Sequence, residues 1–187
     1  MQSRIGKSVL WITRTAMMLA VLVTVQYLTR NFGQIVTGAA VNFVLVATAL
    51  LCGMSSSVVV ALASPFLAKL LGIGPLWELI PVIALGNLAI SAIFASILGR
   101  ARKLVGKEKY SMWLAAIVAG AVAKYFVLNM GIVKIVLPLM TSLPAAQSEK
   151  IASMFSTMQL VTALIGGVIA MLAVEPIREA LKKSRTN

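Results

Sequence analysis

The stretch AVAKYFVLNMGIVK, residues 121–134, places Lys124 and Asn129 inside an apolar run long enough to cross a bilayer. A charged side chain at membrane depth costs about 2.5 kcal/mol or more, so it faces protein or water rather than lipid. What surrounds that lysine decides how the rest of the chain is read.

Outward from this stretch the chain stays apolar. Of its 187 residues 60% are hydrophobic, and the mean hydropathy is +0.97. That excess is too large for a soluble core with a polar surface, and the runs reach membrane-spanning length. They are continuous rather than alternating, which argues against a β-barrel. The expected fold is an all-α integral membrane protein, one compact domain over residues 1–187 with six transmembrane helices. The spans are read as 8–29, 38–53, 56–71, 77–98, 111–139 and 152–176. Arg4 and Lys7 before the first run resemble a secretory signal. That run continues to Tyr27 without a small-residue cleavage site, so a retained helix is expected. Pro65 falls inside the third span, where it should kink the helix and free a carbonyl.

Basic residues set the orientation. Arg4, Lys7 and Arg14 flank the first span. The loop GRARKLVGKEKY contributes Arg100, Arg102, Lys103, Lys107 and Lys109, and the tail contributes Arg178, Lys182, Lys183 and Arg185. In a six-span arrangement all of these share one side, against Arg30, Lys69, Lys134 and Lys150 on or near the other. The positive-inside rule then places both termini in the cytoplasm. The net charge of +12 is spread over membrane flanks rather than gathered in a basic domain, so nucleic acid is not an expected partner. Trp11 and Trp113 near the inner interface and Trp77 near the outer one fit an aromatic belt.

The outward loops are 30–37, 72–76 and 140–151. The first is rich in hydrogen-bonding groups, Asn31 and Gln34 among them. The third holds Pro144 and a helix start, with Ser148 as its expected cap. At 1.5 Å per residue, Lys124 lies roughly 20 Å above the inner end of span five, and Asn87 about 15 Å below the outer end of span four. Asn87, Lys124, Asn129, Gln159 and Thr162 therefore share the outer half of the last three spans. They are expected to line an outward pocket under the outer loops. Lys124 would be a point charge for a ligand anion or a partner for Glu78; the amides would hydrogen-bond; Tyr125 or Trp77 would stack on a flat ring. Lys124 and Lys134 against Glu78 favour an anionic or carboxylate-bearing ligand. The competing reading makes Asn, Gln and Thr the glue between helices.

Small residues form a second pattern. Ala115, Ala119 and Ala123 repeat every four residues on span five, with Ala116 and Gly120 beside them; Thr162, Gly166 and Ala170 do so on span six. Such stripes let helices approach closely. Ala16 and Ala20 make a similar small-residue face on span one, which could receive a helix from another protein.

The chain has no histidine and one cysteine, Cys52, so no internal disulfide and none of the usual zinc, haem or Cys-His constellations can form. In a helix a lone cysteine is expected to act as a small buried hydrophobe. With no histidine and five acidic residues, of which only Glu78 and Glu175 fall near membrane boundaries, a nucleophile-base pair or a pair of acids for an intramembrane enzyme is not available, and no enzyme is expected.

Taken together, six spans in this length, the A-x-x-x-A at Ala16 and Ala20, AVAKYFVLNMGIVKIVLP (121–138) and MFSTMQLVTALIGGVIAML (154–172) resemble the substrate-binding S components of energy-coupling factor (ECF) transporters. The resemblance covers roughly residues 10 to 175. It implies a subunit in the plasma membrane of a prokaryote that captures a vitamin or other micronutrient at the outer face. It also implies that Ala16 and Ala20 dock on a transmembrane T component driven by two cytoplasmic ATP-binding subunits. No cofactor is implied for the chain itself, which lacks a phosphate-binding G-x-x-x-x-G-K-[ST] loop. The alternative is an assembly subunit without a small-molecule ligand.

Overall fold

The computed structural model describes residues 2–100 and 106–186. Arg102 and Lys103 lie outside the described residues, and for Arg4, Arg100, Lys182 and Arg185 only the backbone is described. Among the described residues the structure is helical and contains no strand. Helix α1 runs Gln2–Thr29 and α2 Gln34–Leu51, separated by a 3₁₀ turn at Arg30–Phe32. Helix α3 covers Met54–Leu70, passing through Pro65, and α4 covers Ile80–Arg100 after a 3₁₀ turn at Trp77–Leu79. Helix α5, Gly106–Leu128, continues as a π-helical segment, Asn129–Val136, into a last turn α6, Leu137–Leu139. A short helix α7, Ala145–Met154, precedes α8, Thr157–Thr186.

Five helical stretches are long and apolar enough to cross a membrane, and α3 is a shorter apolar helix. The outward surface agrees with that composition: Leu28, Val59, Phe66, Leu85, Phe126 and Leu172 are all exposed. A soluble monomer does not carry apolar surface on this scale.

In lipid, helices gain little from hiding apolar surface from one another, so close packing and polar joints must hold them together. Helix α2 takes the central place and packs on α1, α3, α4 and α8. Its closest neighbour is α8. A Cβ on Gly166 would lie 2.6 Å from the Ala39 carbonyl oxygen and 2.6 Å from Asn42 Cβ, and one on Gly38 would lie 2.8 Å from Thr162 Cγ2. The Thr162, Gly166 and Ala170 stripe is thus the face that meets α2, and all three are buried. On α5 the packed stripe differs from the expected one. Ala115 and Ala119 are exposed, while Ala116, Gly120 and Ala121 are buried, because the inward face of α5 is the one that carries Lys124.

Two further expectations are corrected. Trp113 is 3% exposed and meets Phe94 edge-to-face at 6.2 Å, so it belongs to the core rather than to an interfacial belt. Gly120 leaves the space that the Phe94 ring fills. Ser148 is not a cap: α7 starts three residues earlier, behind Pro144, whose φ of −56° already suits a helix start.

The bundle has two unlike ends. At one, Glu175 on α8 pairs with Lys109 at 3.1 Å and with Arg178 at 3.0 Å, and Arg178 also donates to the Leu50 carbonyl closing α2. Half-buried Cys52 lies at this end. At the other, the turns at 30–33 and 71–79 and the segment 140–156 surround an opening. Gly33 makes the first of these turns with a φ of +87°, a backbone region that favours glycine.

Candidate functional site

The opening leads into a cavity of about 950 Å³, within the range of small-molecule sites. Its floor is built around Lys124. The Nζ donates to Asn42 Oδ1 at 2.7 Å and to Asn87 Oδ1 at 2.8 Å, joining α5 to α2 and α4. Asn42 Nδ2 in turn lies 3.4 Å from Thr162 Oγ1, and that hydroxyl donates to the Gln159 carbonyl at 3.2 Å. One chain of polar side chains therefore ties four helices together at a single depth. Asn42 is eight residues past Gln34 and Asn87 is seven past Ile80, so the floor lies about 10–12 Å below those helix ends. All four side chains are buried.

The α2–α8 contact makes this arrangement possible. With Gly38 and Gly166 at the crossing, the α2 backbone approaches α8 closely enough for Asn42 to reach both Lys124 and Thr162. Two of the three lysine donors are used by the amide oxygens, and Lys124 also lines the cavity.

Above the floor the wall turns apolar, with Val41, Ile73, Leu76, Ile83, Leu128 and Phe155. Gln26 and Gln159 interrupt it. Gln159 Nε2 donates to the Met154 carbonyl, which ends α7. Gln26 Oε1 is buried without a donor. Nearer the mouth stand Arg30, Gln34, Lys69, Gln147 and Lys150. Arg30 stacks over the Tyr27 ring at 4.3 Å, and Lys69 lies 5.9 Å from the centre of the Trp77 ring. None of the chain's five glutamates lines the cavity. The lining carries four basic side chains and no carboxylate, a charge balance that favours an anionic group over a cation.

Of the residues expected from sequence, Gln34, Asn87, Lys124 and Gln159 line this cavity. Thr162 lies behind the wall and holds Asn42. Asn129 donates to Ser156 Oγ at 3.3 Å, fastening the π-helical segment to the α7–α8 junction, and is not part of the lining. Tyr125 is half-buried outside the cavity, while Asn31, Trp77 and Glu78 are exposed around its end of the bundle. Glu78 is no partner for Lys124, whose partners are the two amides. Ala16 and Ala20 lie on an exposed face of α1 and are not part of the lining.

Sequence reasoning missed Asn42, Gln26 and the mouth cations Arg30, Lys69 and Lys150. A signal for the last three was present: they are three of the four basic residues that stand against the positive-inside count. No family model, no curated protein and no solved structure matches this chain.

Proposed function

We propose that this chain is the substrate-binding subunit of an ECF-type importer. It crosses the plasma membrane of a prokaryote six times with both termini in the cytoplasm, and it takes up a vitamin or similar micronutrient through the cavity at the outer end of the bundle. The observation that carries this reading is the cavity itself, deep, mostly apolar, and floored by a lysine held between two asparagines. An intramembrane lysine is an expensive way merely to join helices. A T component and two ATP-binding subunits would supply the energy, with Ala16 and Ala20 as the docking face for the T component.

One observation favours a second reading. Lys124 is bonded by amides inside the bundle, so a purely structural polar joint in an assembly subunit is also self-consistent. Purification in mild detergent, followed by mass spectrometry of the small molecules that accompany the protein, separates the two. A stoichiometric vitamin-like compound supports the binding subunit. A blank, repeated by thermal shift against a panel of vitamins and precursors, supports the assembly subunit.

A further inference from the structure

We propose that the ligand is an elongated organic acid carrying an anionic group at each end, one set on Lys124 at the floor and the other among Arg30, Lys69 and Lys150 at the mouth. This rests on the reading of the cavity as a ligand site. It goes further by naming the ligand's chemistry.

Charge balance is the first support. Four basic side chains line one cavity, no acidic side chain lines it, and none of the four is paired with a carboxylate among the described residues. Cations gathered in a low-dielectric concavity repel one another and focus a positive potential there. An anion is the partner such a site lacks.

Spacing is the second support. The deep cation and the mouth cations are separated by the apolar wall, and the floor lies about 10–12 Å below the helix ends. One small anion cannot meet both groups. An acid with an apolar body of that length can, with its middle against Val41, Ile83 and Leu128.

The test uses the purified full-length protein in a neutral detergent and four probes of one length: suberate, octanoate, octanediol and octanediamine. Thermal protection is titrated for wild type, for Lys124→Met and for a triple variant, Arg30→Gln with Lys69→Gln and Lys150→Gln. Suberate is expected to protect wild type at concentrations about tenfold below octanoate, the factor that 1.4 kcal/mol represents. The diol and the diamine are expected to give none. The triple variant, altered only in half-buried or exposed positions, should respond to suberate as wild type responds to octanoate. Equal protection by suberate and octanoate would assign the mouth cations to the membrane surface and overturn the proposal. So would protection by the diamine, an unchanged triple variant, or no protection by any probe. A neutral or cationic compound found with the purified protein would remove the two-acid reading while leaving the binding subunit standing.

Discussion

Lys124 Nζ stands 2.7 Å from Asn42 Oδ1 and 2.8 Å from Asn87 Oδ1, so a basic group in the middle of an apolar helix is held by two neutral amides rather than by a carboxylate. The two amide oxygens accept from the amine but bring no counter-charge, so a ligand acid would be the first carboxylate beside it. Lys124→Met should therefore separate binding from folding. Two buried oxygens lose a donor, at about 1–3 kcal/mol for each unsatisfied group, and the melting temperature should fall. Affinity for an acidic ligand should fall by about 30-fold or more, since losing a buried charged contact costs about 2–5 kcal/mol. Titration calorimetry and thermal unfolding on the same samples measure both quantities. Undiminished affinity would remove Lys124 from the site.

Asn42→Asp makes the sharper case. The substitution is nearly isosteric and places a carboxylate oxygen where the amide oxygen now meets Lys124 at 2.7 Å. An internal anion would then occupy the lysine, with the fold kept and the melting temperature equal to or above that of wild type. An acidic ligand should bind about 100-fold more weakly, by loss of an attraction of the kind measured for close charge pairs. If Lys124 were only a joint between helices, the same change would strengthen the joint and leave binding unaltered.

Much of the helical layout was legible because membrane-length apolar runs are a local signal. Depth was legible too: counting residues from the helix ends brought Asn87, Lys124 and Gln159 together, and the structure places all three at one cavity. Azimuth was not. Ala115 and Ala119 repeat as regularly as Ala116 and Gly120, yet only the second pair is packed, because helix facing is chosen by tertiary contacts absent from the pattern. Asn42 was missed for the same reason. Nothing near it in sequence announces that α2 lies against α8, and the close approach at Gly166 depends on a helix more than a hundred residues away. Trp113 misled because its position near a helix end fits an interfacial role, whereas its ring fits beside Phe94.

Gly166 and Gly167 are adjacent, but substitution should distinguish them. A Cβ at 166 meets backbone, the Ala39 oxygen at 2.6 Å and the Phe43 nitrogen at 3.0 Å, while at 167 it meets only side-chain carbons of Ile117 and Phe94 at 3.0 Å and beyond. Backbone cannot rotate aside. Gly166→Ala should cost about 1–3 kcal/mol as an overpacked contact, and it should weaken ligand binding by pushing Asn42 away from Lys124. Gly167→Ala should cost less and leave binding near wild type. Paired melting curves and binding titrations measure the contrast; equal effects at both positions would mean that the α2–α8 crossing does not set the site.

The exposed face of α1 makes a prediction about assembly rather than binding. Ala16 and Ala20 lie one turn apart, both exposed, on a helix that packs chiefly along the side facing α2 and α3, where Trp11 donates to Ser55 at 3.0 Å and Thr15 to Ser56 at 2.8 Å. Small side chains on a free helix face allow another helix to come close, and a leucine there blocks that approach without disturbing the bundle behind it. Ala16→Leu with Ala20→Leu should thus keep the melting temperature and the ligand affinity of wild type. On the proposed importer reading, the variant should lose co-purification with a T component expressed from the same genome, and with it ligand uptake by cells. Thr15→Val is the control: it removes a buried hydroxyl contact on the packed side, so it should lower stability by about 1 kcal/mol while leaving complex formation intact. Complex formation by the double leucine variant at wild-type level would move the docking face elsewhere on the bundle.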